Sequence, residues 1–409
     1  MKTVKKRLCA ASAASILLPV LCALAVADQT TKSNRRSTFD LTDFGAACDG
    51  RRDDTKAIQA WLDKLAENVR LTAPAGVCLF SAPLRAPFAK AYDISGAGPY
   101  ATTFRYVGSS TAKDLLTISD TGHGGETGVS IRDFRIASEA KMTGGYAFHA
   151  HGLFDSVVSN VVLDGLNEGN GNLCGGYWFD GAGGVDLVNP NAFSKGNCGD
   201  GVLVNAALGG SAELRVVGGN IGGGFVNGMH MAGGFGGARC DGTNIHQNKY
   251  NLLIDDAITQ RGNREFGEGS TCVLDAAIVD GALIDDPLAG GGTVDFAGWV
   301  ASANTGSGIH IRAWRNGDVE VRGDKVYNNC LDGVYVEDPT THVFIASSVA
   351  INHNGNSRLG GDGRCQIPPG RGFAVNAASP TDRILANGTP WDNIAGSFGP
   401  NVHIRDRHQ

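Results

Sequence analysis

One short motif, repeated in phase along most of this 409-residue chain, restricts the folds open to it more than any other feature. A glycine, once replaced by asparagine, is followed by four residues that alternate in polarity. The motif reads GYAFH from Gly145, GYWFD from Gly176, GVLVN from Gly201, GMHMA from Gly228, NLLID from Asn251, GALID from Gly281, GIHIR from Gly308, GVYVE from Gly333 and GFAVN from Gly372. Successive anchors lie 31, 25, 27, 23, 30, 27, 25 and 39 residues apart. Positions one and three after the anchor are apolar every time, whereas two and four are mixed and largely polar, as in a strand with one buried face. Further short strands lie between anchors: AELRVV from Ala212, CVLDAAIV from Cys272, DVEVRG from Asp318 and HVFIASSVAI from His342. A propeller blade needs ~40 to 50 residues and four strands, so these coils are too short for one. A stacked solenoid fits, and the expected fold is all-β: a single-stranded parallel β-helix of roughly nine or more coils.

The chain before the repeat differs. FDLTDFGAACDGRRDDTKAIQAWLDKLAE predicts a short strand around Phe39 to Phe44, a turn, and then a helix N-capped by Asp53 or Asp54, with Ile58, Trp61, Leu62 and Leu65 on one face. One apolar helix face must cover something, and the open end of the solenoid, with its exposed strand edges, is the expected target. Glycine supplies 59 residues and charged residues only 19%, which excludes long helices and coiled coils; a 42% hydrophobic content excludes a disordered chain.

Residues 1–27 read as a secretory leader, with Lys2, Lys5, Lys6 and Arg7 before an apolar stretch that ends at Ala25-Val26-Ala27. A polar tail over 28–37 follows, and a single domain is expected over 38–409. Without the four leader cations the formal charge falls from −6 to −10, a poor match to nucleic acid. No later apolar run of ~20 residues is present, so no membrane anchor is expected. Eight cysteines remain after the leader: Cys48, Cys78, Cys174, Cys198, Cys240, Cys272, Cys330 and Cys365. None forms a CxxC pair, so cysteine-bound zinc is not expected; an even number in an exported chain points to disulfides, with neighbours in sequence order as the expected pairing. The expected location is secreted or periplasmic.

The segments FDLTDFGAACDGRRDDTKAIQAWLD, LTAPAGVCLF and ISGAGPYATTF, over residues 39–106, resemble the opening of right-handed parallel β-helix proteins of the pectate lyase and polygalacturonase-like superfamily, closest to its rhamnogalacturonase or epimerase-type pectate lyase domain. The resemblance implies a right-handed coil and a polysaccharide substrate. It leaves the reaction open among hydrolase, lyase, epimerase and binding spike. Similar proteins form homotrimers, which is the oligomer the resemblance implies. Polygalacturonases carry NTD, DD, GHG and RIK in order; here GHG stands at Gly122 to Gly124, before the DD at Asp255, and RIK is missing, so their catalytic residues do not transfer.

Equivalent positions on successive coils stack ~4.8 Å apart, turning the repeat into columns. The fourth position reads His149, Asp180, Asn205, Ala232, Asp255, Asp285, Arg312, Glu337 and Asn376, and the second reads Ala147, Trp178, Leu203, His230, Leu253, Leu283, His310, Tyr335 and Ala374. Carboxylates, an arginine, histidines and aromatic rings on one strip are what a sugar-binding groove needs. Asp255 and Asp285, followed by Asp256 and Asp286, fall on adjacent rungs, close enough to share a proton. Asp285 and Glu337, two rungs apart, lie ~9 to 10 Å apart at the backbone, near the ~6.5 to 9.5 Å used by inverting glycosidases. The expected catalytic residues are therefore Asp285, Glu337 and Asp255, with Arg312, His310, Tyr335, Trp178 and His230 as substrate contacts. Hydrolysis of this kind needs no cofactor and no metal. The lyase alternative would place calcium on Asp255 and Asp285 with Arg312 as base. The duller reading of each aspartate is a turn cap or solvated face, and of each histidine a structural hydrogen bonder. Glu265, Glu268 and Trp299 are weaker groove candidates, and Asn248, Asn329 and Asn352 are expected to form a structural amide ladder at coil corners.

Overall fold

The computed structural model describes residues 36–118, 125–164, 173–196, 198–205, 213–232, 239–255, 265–266, 271–287, 293–355, 365–387 and 393–403. The expected leader and most of the polar tail, GHG at 122–124, Asp256 and Glu268 lie outside them, and for Glu265 only the backbone is described. Residues 37–409 form one compact unit. Among the described residues every pairing between strands is parallel, and the strands fall into sheets of 18, 12 and 5 members that wrap one continuous apolar core. The fold is a right-handed parallel β-helix. No helix among the described residues is long and apolar enough to cross a membrane.

The repeated motif builds the 12-stranded sheet. From Gly175–Asp180 to Val334–Val336 the register runs as the motif predicts: Tyr177 and Phe179, Val202 and Val204, Met229 and Met231, Leu252 and Ile254, Ala282 and Ile284, Ile309 and Ile311, and Val334 and Val336 all point into the core. The two end anchors are each displaced by two residues. His149 pairs with Trp178 and Phe148 with Tyr177, so the first inward pair is Phe148 and Ala150; Tyr335 pairs with Asn376, so the last is Val375 and Ala377. A slip of two preserves the alternation of faces, which is why polarity alone placed His149, Ala147, Asn376 and Ala374 in the wrong columns.

The anchors are glycine because there is no room for a side chain. A Cβ on Gly308 would stand 2.5 Å from Val326 Cγ1 and 2.8 Å from Asn329 Nδ2, and one on Gly281 would stand 2.6 Å from Asn304 Nδ2. These amides form the corner ladder. Asn304 Nδ2 donates to Asn329 Oδ1 at 2.8 Å, Asn329 to Asn354 at 2.8 Å, and Asn354 to Asn393 at 2.9 Å. The residue before each ladder position (Gln247, Ala276, Ala303, Asn328 and His353) has φ between 52° and 58°, a left-handed corner that the amide chain holds in place. Asn248 and Asn329 are ladder members as expected. Asn352 is not: in IHQN and INHN the equivalent residues are Asn248 and Asn354, the fourth of each tetrad.

The single asparagine anchor has the same origin. Ala277 occupies the ladder position after Asn248 and offers no amide, and the Asn251 side chain takes its place, accepting from Asn248 Nδ2 at 3.2 Å and donating to the Asp275 carbonyl at 2.9 Å. Asn251→Gly should therefore destabilise the protein by about 1–3 kcal/mol, because Asn248 loses a buried acceptor, and adding Ala277→Asn should recover most of that loss. Urea midpoints of the two variants check this; equal midpoints would refute the exchange.

The helix Thr55–Leu62 buries Ile58, Trp61 and Leu62 against Phe80, Leu84, Ile94 and Phe104 of the first coils, as a cap over the end of the stack. Ser37–Asp40 is a strand, but Leu41–Phe44 is a 3₁₀ turn. Asp53 accepts from Thr55 N at 2.9 Å, whereas Asp54 turns away and holds the Ala47 and Cys48 amides at 2.8 and 2.9 Å. Four disulfides pair neighbouring cysteines in sequence order: Cys48–Cys78, Cys174–Cys198, Cys240–Cys272 and Cys330–Cys365. They fit an oxidising, extracellular or periplasmic setting.

Candidate active site

The outward face of the 12-stranded sheet carries the eight residues expected as catalytic groups and substrate contacts. With the corrected register, the second column reads His149, Trp178, Leu203, His230, Leu253, Leu283, His310, Tyr335 and Asn376. The fourth reads His151, Asp180, Asn205, Ala232, Asp255 and Asp285, after which a bulge intervenes. Asp285 pairs with Ala313, so Arg312 is the extra residue of that strand and swings its guanidinium back onto Asp285. Glu337 follows on the next rung, its amide bonded to the Ile311 carbonyl at 2.8 Å.

Asp255 and Asp285 are register partners, yet each carboxylate faces its own cation. Asp255 Oδ1 lies 2.6 Å from His230 Nε2, and Asp285 accepts from Arg312. The structure thus shows two separate ion pairs where the sequence suggested a proton-sharing dyad. Asp286 is buried and turns away from the groove.

Two histidines are each held between two carboxylates. His230 Nδ1 lies 3.2 Å from buried Asp200, and its Nε2 meets Asp255. His310 repeats the arrangement, with Nδ1 at 2.9 Å from buried Asp280 and Nε2 at 3.0 Å from Glu337. In both relays the outer carboxylate reaches solvent, the Asp255 and Glu337 side chains being 34% and 38% exposed. Burial alone would lower the pKa of each imidazole, but the flanking carboxylates outweigh it: His310 is raised, and His230 is raised to about 9. The counterpart effect falls on Asp200, where the bonds from His230, Asn227 and Tyr146 overcome desolvation and lower its pKa.

The inner aspartates escaped the sequence reading although a signal was present. Asp200, Asp280 and Asp332 each stand directly before an anchor glycine, in Asp-Gly dipeptides at 200–201, 280–281 and 332–333. The third serves Arg371, which bonds Asp332, donates to Ser307 Oγ at 2.9 Å, and lies 3.6 Å above the Tyr335 ring centroid. Trp178 is likewise covered on one side, by His149 stacked at 3.8 Å, and its Nε1 donates to Asn205. Each ring expected to stack on sugar has one face already occupied. Trp299 is buried against Phe296 and does not line the groove.

The raised His230 pKa has a stability consequence. An imidazole whose folded pKa of about 9 exceeds its unfolded value of ~6.5 contributes stability that is complete below ~6.5 and is lost as pH climbs through 9. The thermal midpoint should fall across that window by the equivalent of about 3 kcal/mol, and His230→Gln should remove this part of the decline. Parallel pH profiles for the two proteins would refute the coupling.

No protein-family model matches this sequence, and no curated protein sequence matches it. Solved structures do. The A-module of the Azotobacter vinelandii mannuronan C-5 epimerase AlgE4 aligns over 90% of this chain and 100% of its own, with TM-score 0.54 at 12% identity. The Dettilon tailspike protein gp208 aligns over 90% of this chain and 68% of its own, with TM-score 0.50 at 12% identity. The catalytic unit of a GH87 α-1,3-glucanase from Streptomyces thermodiastaticus aligns over 90% and 68%, with TM-score 0.45 at 13% identity. The first two likenesses establish the fold, and they bear out the right-handed β-helix architecture that residues 39–106 resemble.

Proposed function

We propose that the protein is an exported polysaccharide-cleaving enzyme, a glycoside hydrolase whose groove runs along the outward face of the 12-stranded sheet. The observation that carries this reading is the Asp280–His310–Glu337 relay beside the Arg312–Asp285 pair, on adjoining rungs of one face. Glu337 is the general acid: it is accessible, and it receives its proton through His310, which Asp280 orients. Asp285, set in place by Arg312, is the base that activates water on the other side of the scissile bond, and the spacing of two rungs corresponds to inversion. Asp255, served by His230, continues the anionic strip that favours the cationic character of a glycosyl transition state. Tyr335 and Trp178 offer their uncovered ring faces to sugar, and His310 and His230 line the floor.

Two features weigh against elimination. Arg312 is a poor proton abstractor, because its bond to Asp285 raises an already high pKa. The aspartates that calcium would need already face protein cations. The fold shared with an epimerase module is compatible with a polysaccharide substrate without selecting the reaction. Incubation with a panel of plant and bacterial polysaccharides, with and without chelator, decides the matter. New reducing ends without ultraviolet-absorbing product support hydrolysis. Unsaturated uronate that vanishes on chelation identifies a lyase instead, and retention of glycan at unchanged chain length identifies a binding spike; either result overturns the proposal.

A further inference from the structure

Four to five rungs before Asp285, about 19 to 24 Å along the same face, stands a second cluster that the hydrolytic machinery does not use. His149, His151 and Asp180 each present a ligating atom, and the three atoms lie within 4.8 Å of one another. We propose that these residues bind a divalent transition metal of the zinc class, with Asp114 as the outer carboxylate that orients His149.

The geometry of His149 carries the argument. Its Nδ1 is 2.8 Å from Asp114 Oδ2, and Asp114 is itself fixed by the Tyr146 amide at 2.7 Å. A ring that donates from Nδ1 presents the Nε2 lone pair on its other side. That Nε2 is buried, in a residue only 9% exposed, and has no hydrogen-bond partner. A buried polar atom left unpaired is costly unless something meets it. The Trp178 indole, parallel to within 8° at 3.8 Å, fixes the ring plane. A carboxylate on one imidazole nitrogen and an unmet lone pair on the other is the arrangement by which proteins present histidine to a metal.

The other two ligands fit the same ion. His151 Nδ1 and Asp180 Oδ2 are 3.2 Å apart, close to the edge of about 3.3 Å spanned by two ligands on a tetrahedral ion with bonds of ~2.0 to 2.1 Å. Two imidazoles and one carboxylate match the preferences of zinc, iron(II) or cobalt(II) more than those of calcium, which takes oxygen. Three protein ligands would leave a fourth position for a water. The register slip that moved His149 and His151 into these columns created the cluster: in the unslipped register His149 would have stood beside Asp180 and His151 beyond the column.

The test uses the mature protein stripped of metal and titrated with cobalt(II) alone, followed by visible absorption and by stoichiometry. The expected result is one ion per chain with the absorption of four-coordinate cobalt. His151→Gln should weaken binding at least ~100-fold, Asp114→Asn about 10- to 100-fold, and Glu337→Gln not at all. Absence of binding to the native protein, or unchanged affinity in His151→Gln, would overturn the site. Should the variants fail to fold, imidazole nitrogen resonances of the unmutated protein give the answer: the His149 Nε2 signal must move on addition of zinc, and a stationary signal sinks the proposal. None of these readouts depends on glycan cleavage, so the site stands or falls independently of the hydrolase reading.

Discussion

Asp285→Asn and Glu337→Gln should each lower the rate of the proposed glycan cleavage by roughly three orders of magnitude, with little change in thermal midpoint. The size follows from the roles: a positioned acid or base contributes about 10² to 10⁴ in rate, and three decades correspond to about 4 kcal/mol of barrier. Both side chains lie on the solvent side of the sheet, Asp285 against Arg312 and Glu337 against His310, so their amide analogues keep the shape of the groove while removing the ionisable proton. Because the two act in one step, the double variant should be barely slower than either single one. His310→Gln separates the relay from mere packing. It should lower kcat more than it raises KM and should shift the alkaline limb of the pH–rate profile, since Glu337, the acid, then loses the neighbour that shares its proton. Full activity in both single amide variants would remove this pair from the mechanism.

Asn329→Ala should be the most damaging single substitution at the corners, at about 3–5 kcal/mol. Its side chain is fully buried and makes four bonds: it accepts from the Asn304 amide and side chain at 3.2 and 2.8 Å, and donates to Asn354 at 2.8 Å and to the Ala301 carbonyl at 3.1 Å. Removing it leaves polar groups on both neighbouring coils unmet in a low-dielectric corner, where each orphan costs about 1–3 kcal/mol. It also weakens support for the left-handed corner at Asn328. Asn244→Ala, a half-buried asparagine on the strand Arg239–His246 and outside the chain of amides, is the control and should stay within ~0.5 kcal/mol. Similar urea midpoints for the two variants would show that the ladder does not carry stability.

The architecture was legible because it depends on period. Strand alternation with a fixed inward register requires only that apolar residues fall at positions one and three, and the seven anchors from Gly176 to Gly333 hold that register through the fold. The column holding Asp255 and Asp285 was readable for the same reason. What escaped has a physical cause in each case. The slips at Gly145 and Gly372 are even-numbered, hence invisible to polarity. The bulge at Arg312 inserts one residue without altering the motif, so the arginine folds back on Asp285 instead of spacing it from Glu337. The inner aspartates precede their anchors and are buried by contacts that arise only on stacking, as Asp200 is by Tyr146 from 54 residues away. Asp114, the most distant partner of the metal cluster, belongs to a coil that precedes the recognised repeat altogether.

The exchange of roles between Asn251 and Ala277 bears on how such a chain can be rebuilt. Solenoids invite cut-and-paste engineering, with coils lifted out or duplicated as if they were interchangeable bricks. Here the coil entered at Asn251 satisfies the coil before it with an amide that its successor lacks, so the smallest transferable piece is that coil together with both flanking ones. A deletion bounded at Asn251 would strand Asn248, whereas one bounded between Gly308 and Gly333, where the amide chain is regular, would rejoin like to like.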